Sequence, residues 1–150
     1  MVKLGSLLVF LVLVVGGGIA IGIVTAPGAW YTALVKPSFN PPNWVFAPVW
    51  TVLYVLIAMA GWRLWRRDRL GWPTILWWGQ LALNFLWSPV FFSMHRVDAA
   101  LGVILLLFAA TVGVIVTSWR HDRVTSWLFL PYALWVGFAA VLNGAILRLN

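Results

Sequence analysis

Five apolar stretches, each long enough to cross a lipid bilayer, constrain this chain more than any other feature. They cover residues 4–26, 44–65, 73–92, 99–119 and 124–147. A helix needs about 20 residues to traverse the hydrocarbon core, and each stretch is near that length. Inside lipid an unpaired backbone N–H or C=O is too costly, so each stretch must be helical. The expected fold is therefore all-α, an integral, multi-pass membrane bundle of five transmembrane helices forming one domain over residues 1–150. No internal repeat is visible, and all connections but the first are short. Composition agrees. With 63% hydrophobic and 9% charged residues, a 150-residue chain cannot hide its apolar surface in one soluble core.

The first stretch has a signal-peptide look, with Lys3 as its charged start and Val24-Thr25-Ala26 as a cleavage-like site. Its apolar run exceeds the roughly 7–15 residues of a signal core, so it reads as the first membrane helix. Gly18 and Gly22 within it form a GxxxG pair that lets another backbone approach, from inside the chain or from a second copy.

Charge orients the bundle. The net charge is +7. Because the basic residues lie between apolar spans, anionic lipid headgroups rather than nucleic acid are the expected partner. With an odd number of spans, Lys3, Arg63, Arg66, Arg67, Arg69, Arg120 and Arg123 fall on one side, against Lys36, Arg96 and Arg148 on the other. In a bacterial inner membrane that asymmetry makes the first side cytoplasmic.

Residues 30–50, WYTALVKPSFNPPNWVFAPVW, set prolines and tryptophans between the first two spans. Prolines at this density fix φ and remove donors, so the middle is expected to be extended and semi-rigid rather than helical. Within the spans, three stripes of polar and aromatic residues are expected to face inward, since lipid disfavours polar groups. They are Phe46, Trp50 and Tyr54; Gln80, Asn84, Trp87, Ser88 and Phe91; and Trp127, Pro131, Trp135, Ala139 and Asn143. Asn84 and Trp135 lie about 16 Å from the ends of their helices, near the midplane, and Trp50 about 9 Å in. Aromatic walls with Asn84 and Tyr54 as polar handles describe equally a planar-ligand pocket and a helix–helix interface.

Three stretches together resemble the TspO/MBR family, the tryptophan-rich sensory and translocator proteins: WYTALVKPSFNPPNWVFAPVW, GQLALNFLWSPVFF and PYALWVGFAAVLN. The likeness runs over nearly the whole chain in the family's order, departing at Phe39, where the family often has Trp. It implies a membrane receptor or carrier that binds porphyrins (protoporphyrin IX, haem) and similar planar hydrophobes between the helices, under the loop at residues 28–43. The role implied is tetrapyrrole regulation, transport or stress response. The matching binding positions are Tyr31, Pro41, Pro42, Phe46, Ala47, Trp50, Asn84, Trp87, Trp135, Ala139 and Leu142. Lys36, Arg96 and Arg148 are candidates to pair with propionates. Two alternatives share the same cage: light-dependent porphyrin breakdown using Trp50 and Trp135, and a regulatory protein whose ligand stabilises a complex. A homodimer is also implied, through Gly18/Gly22 or around Gly79 and Ala82. The C-terminal VLNGAILR has Gly144 and Ala145 where the animal sterol motif needs Tyr, so sterol binding through that motif is not expected.

Other chemistries are excluded. The absence of Cys rules out disulfides, thiolates and iron–sulfur ligation. His95 and His121 fall on opposite sides and cannot share a metal, so no metal site and no required cofactor are expected. His95 and Asp98 read as a helix start, Asp98 capping and His95 solvated. Ser88 beside Pro89 reads as a kink that satisfies backbone groups rather than as a nucleophile.

Overall fold

The computed structural model describes residues 2–150, with side chains from Leu4 onward, so the side chain of Lys3 lies outside the described residues. It contains five membrane-length helices and one short one: α1 (Leu4–Val24), α2 (Ala29–Ala33), α3 (Asn43–Arg67), α4 (Trp72–Ser93), α5 (Val97–Ser118) and α6 (Arg123–Leu149). No strand occurs among the described residues. The five spans fall within three residues of the expected bounds. The exception to the expected layout is α2. Trp30 and Tyr31 form a helical turn, because the prolines that forbid helix begin only at Pro37; from Leu34 to Pro42 the chain carries no helix.

Packing closes the long helices into a ring in the order α1, α3, α6, α5, α4, with α4 returning to α1. Side-chain bonds place the helix ends. On one face, Trp62 donates to Ser6 Oγ (3.0 Å) and Arg63 grips Asp122 through Nε (3.0 Å) and Nη2 (2.8 Å). On the other, Asn150 and Val35 exchange two hydrogen bonds, at 3.0 and 2.9 Å, and His95 stacks on Trp30 at 4.2 Å. Arg63, Arg66, Arg67, Arg69, Arg120 and Arg123 thus share one face, and Lys36, Arg96 and Arg148 share the loop-bearing face.

Prolines inside spans need local repair. After Pro89, α4 widens into a π-helical turn over Pro89–Ser93, closed by Met94 N–H on the Pro89 carbonyl at 2.9 Å. Ser88 Oγ is hydrogen-bonded at 2.6 Å to Oγ1 of Thr25, the residue that caps the end of α1, which occupies it structurally. Asp98 does not cap. Helix α5 begins at Val97, so Asp98 lies in its first turn and takes both guanidinium bonds of Arg96 at 2.9 Å. His95 is exposed as expected, but its ring rests on Trp30 and its φ is 55°.

Asp122 lies between the spans and is the buried anchor of the Arg-rich face. Burial alone would raise its pKa; hydrogen bonds from Arg63 and Thr125 outweigh that and hold the carboxyl below the usual range. Its contribution is therefore present above the unfolded carboxyl pKa of about 3.9 and is lost as pH falls below it. Asp122→Asn should destabilise the protein by about 1–3 kcal/mol at neutral pH, the scale of a charge-assisted hydrogen bond. It should also flatten the acid limb of a plot of melting temperature against pH. An acid limb as steep as that of the unsubstituted chain would show that Asp122 is not its source.

Candidate ligand site

The site is built in two layers. The deeper layer is a hydrogen-bond chain across the bundle centre: Tyr54 OH on α3 donates to Asn84 Oδ1 (3.1 Å), Asn84 Nδ2 donates to Tyr132 OH (2.8 Å), and Tyr132 OH donates to Gln80 Oε1 (2.8 Å). Asn84, Tyr132 and Gln80 are buried, as polar groups in a membrane bundle must be when they are paired. Gln80 Nε2, at the end of this hydrogen-bond relay, has no partner among the described residues. The polar stripe of α4 thus turns inward as expected, and Asn84 already serves to tie α3 to α6.

The second layer is aromatic and lies nearer the loop. Trp50 leans over Tyr54 (5.3 Å between ring centres) and meets Tyr132 edge-on at 6.4 Å. Phe46 meets Trp135 edge-on at 5.9 Å, Trp135 leans on Phe138 at 5.6 Å, and Phe39 reaches Phe138 from the Pro-rich loop at 6.3 Å. The loop thereby meets the site edge-on through the Phe39 ring. Among the described residues, Trp135 Nε1–H is buried here with no acceptor, and Asn40 Oδ1 is buried with no donor. A buried group of this kind costs about 1–3 kcal/mol until something pairs with it.

Beside this cage, Tyr31, Phe91 and Leu142 form a second buried cluster, against which Trp87 and Phe46 pack. Trp87 stacks on Phe91 at 5.0 Å, and its Nε1 donates to Asn143 Oδ1 at 3.0 Å. Asn143 in turn donates to the Val97 carbonyl at 2.9 Å, which joins α4, α5 and α6. Burial raises the Tyr31 phenol pKa, so it stays protonated through the neutral range.

Among the other candidate positions, Ala139 packs against the main core, Pro41 is half-buried, and Pro42 and Ala47 are exposed on the outer side of the loop and of α3. Lys36 is already engaged: its Nζ donates to the Tyr31 and Leu34 carbonyls at 2.6 and 3.1 Å, capping α2, and lies 4.4 Å from the Tyr31 ring centre. Arg96 holds Asp98. Arg148 is exposed and has no bonded partner among the described residues.

One stripe departs from expectation. On α6, Trp127 and Pro131 are exposed, Trp135 and Ala139 are half-buried, and Asn143 is buried. A four-residue step overshoots a helical turn by about 40°, so over sixteen residues the stripe rotates by about 160°, from lipid to core. The buried face is instead Thr125, Phe129, Tyr132, Val136 and Asn143. Tyr132, the centre of the polar chain, was missed for that reason; spacing of three and four from Phe129 to Val136 was the signal that could have found it. Gly18 also finds its partner. A Cβ there would collide with the Tyr54 ring, so this glycine serves the interior, whereas Gly22 and Gly79 have open space.

Against known proteins, the sequence model of the TspO/MBR family matches residues 9–149. The chain is 39% identical over 132 residues to "Tryptophan-rich sensory protein" of Cereibacter sphaeroides, covering 86% of this chain and 82% of that one. It is 38% identical over 135 residues to "Protein CrtK" of Rhodobacter capsulatus, covering 87% and 84%. To the human "Translocator protein" it is 34% identical over 126 residues, covering 81% and 75%.

Proposed function

Because this chain belongs to the TspO/MBR family, an integral membrane family with sensory and translocator proteins among its members, we propose that it is a receptor or carrier for porphyrins. The ligands are protoporphyrin IX, haem and similar planar hydrophobes, held between α3, α4 and α6 beneath the loop. The observation that carries this reading is the run of rings from Phe39 on the loop through Phe138 and Trp135 to Phe46, around a buried indole N–H that has no acceptor. An acidic or carbonyl-bearing planar molecule supplies the missing acceptor and π-faces for the rings. Ring centres at 5.3–6.4 Å are in direct contact, so a macrocycle enters only as these rings part and the loop lifts. Arg148 is the propionate partner available without breaking an existing bond. A homodimer belongs to the same proposal, with Gly79 and Ala82 on the exposed side of α4 as the contact.

The test is a titration of protoporphyrin IX into the protein in nanodiscs, with empty discs subtracted. A receptor gives saturable binding and a Soret band that stays constant under illumination. Binding that rises without limit, or a Soret band that bleaches only when the protein is present, would contradict it.

A further inference from the structure

The Arg-rich face, opposite the loop, carries a second site. Four of its six arginines are committed: Arg63 to Asp122, Arg66 over Trp62 at 4.9 Å, Arg69 over Trp65 at 5.0 Å, and Arg123 over Trp119 at 5.8 Å. Arg67 and Arg120 have no ion pair, hydrogen bond or ring partner among the described residues. Both line one cavity of about 680 Å³ between the end of α3, the start of α4 and the α5–α6 turn. Ser118, wholly buried and with its Oγ unpaired, lines it too, and His121 completes the polar wall. Two carboxylates are present. Asp122 is taken by Arg63 and Thr125, whereas the exposed Asp68 accepts the Leu70 N–H at 3.1 Å and keeps its charge, so that Arg67 and Arg120 together still leave the chamber net positive. Two unpaired cations over an unpaired buried hydroxyl describe a receptor for an anion.

A second cavity, about 330 Å³ and mostly apolar, is lined by Ile115, Val116, Trp119 and Arg120. It shares Val116 and Arg120 with the first and lies beside it on the last turn of α5. A chamber that holds two unpaired guanidinium groups, beside an apolar groove, matches a headgroup followed by an acyl chain. We propose that these adjoining cavities bind one anionic phospholipid, its phosphate between Arg67 and Arg120 and one chain along Val116 and Trp119.

The full chain, delipidated in zwitterionic detergent, is titrated with dioleoyl phosphatidylglycerol or dioleoyl phosphatidylcholine, and bound lipid is counted by native mass spectrometry. One phosphatidylglycerol should bind saturably, roughly thirtyfold more tightly than phosphatidylcholine, each arginine contributing about fivefold. Arg67→Gln/Arg120→Gln should erase that preference, whereas Arg66→Gln/Arg69→Gln, which removes equal charge, should leave most of it. Ser118→Ala should weaken phosphatidylglycerol about threefold with its melting temperature unchanged. Equal losses in the two arginine pairs would overturn the site in favour of diffuse surface charge. Millimolar inorganic phosphate is the soluble arm. If it displaces the lipid with the same dependence on Arg67 and Arg120, the anion site stands, but the phospholipid is overturned as its occupant. If it does not compete, the site belongs to the lipid.

Discussion

Trp135→Ala and Trp50→Ala should each weaken protoporphyrin binding about ten- to a hundredfold, while Trp119→Ala and Trp127→Ala leave it within about twofold. Loss of one aromatic stacked on a planar ligand costs about 1–3 kcal/mol, on the scale known for bases on aromatic side chains. Trp50 and Trp135 sit half-buried in the ring cluster under the loop. Trp119 and Trp127 are 41% and 61% exposed, pair with each other at 6.0 Å, and lie at the Arg-rich ends of α5 and α6 as interfacial residues do. Trp135→Phe separates two contributions, since it keeps an aromatic face and removes the N–H. If the orphaned donor matters, this variant should lose about tenfold for an acidic porphyrin and much less for its dimethyl ester. Porphyrins adsorb to any apolar surface, so comparable losses from all four alanine variants would mean the ligand lies on the outside of the bundle.

Gly61→Val should cost the fold about 2–4 kcal/mol, whereas Gly22→Val should change it little. At Gly61 of α3 any Cβ would run into the indole of Trp77, which is wholly buried and donates to the Ile57 carbonyl at 2.9 Å. The ring cannot retreat, because Phe10 packs on it at 5.4 Å and Trp78 at 4.7 Å. Overpacking of this kind costs about 1–3 kcal/mol, and the stranded indole N–H adds about 1 more. Gly22 has open space around it, so the same side chain meets nothing. Apparent melting temperatures in one detergent decide the matter, and a Gly61→Val protein that melts with the unsubstituted chain would mean that α3 and α4 do not pack this closely.

How much of this was legible beforehand depends on what each residue answers to. The spans were readable because lipid forbids unpaired backbone, and that rule ignores sequence detail. The α4 stripe was readable because Gln80, Asn84 and Ser88 each pay for exposure to lipid, so their common direction could only be inward. On α6 the visible residues were tryptophans and a proline, which suit lipid interface and core alike, and a four-residue spacing hid the rotation that sends Trp127 outward. Tyr132 does not stand out between Pro131 and Trp135, although its hydroxyl is hydrogen-bonded to both Asn84 and Gln80. Partnerships across the bundle were not legible. Nothing in the order of residues says that Lys36 caps α2, that Gly18 receives the Tyr54 ring, or that Arg67 and Arg120 are left without partners while their neighbours stack on tryptophan.

The central claim is that a planar ligand enters beneath the loop and lodges among the rings it covers. Val35 and Asn150, which already exchange hydrogen bonds, offer a clamp in a chain with no cysteine of its own. The measurement is the association rate of protoporphyrin IX with the Val35→Cys/Asn150→Cys protein in nanodiscs, oxidised and then reduced. With the loop tied to the end of α6, association should slow by about tenfold or more and recover on reduction, as expected when the competent open state is made rare. An oxidised protein that binds as fast and as tightly as the reduced one would contradict entry beneath the loop.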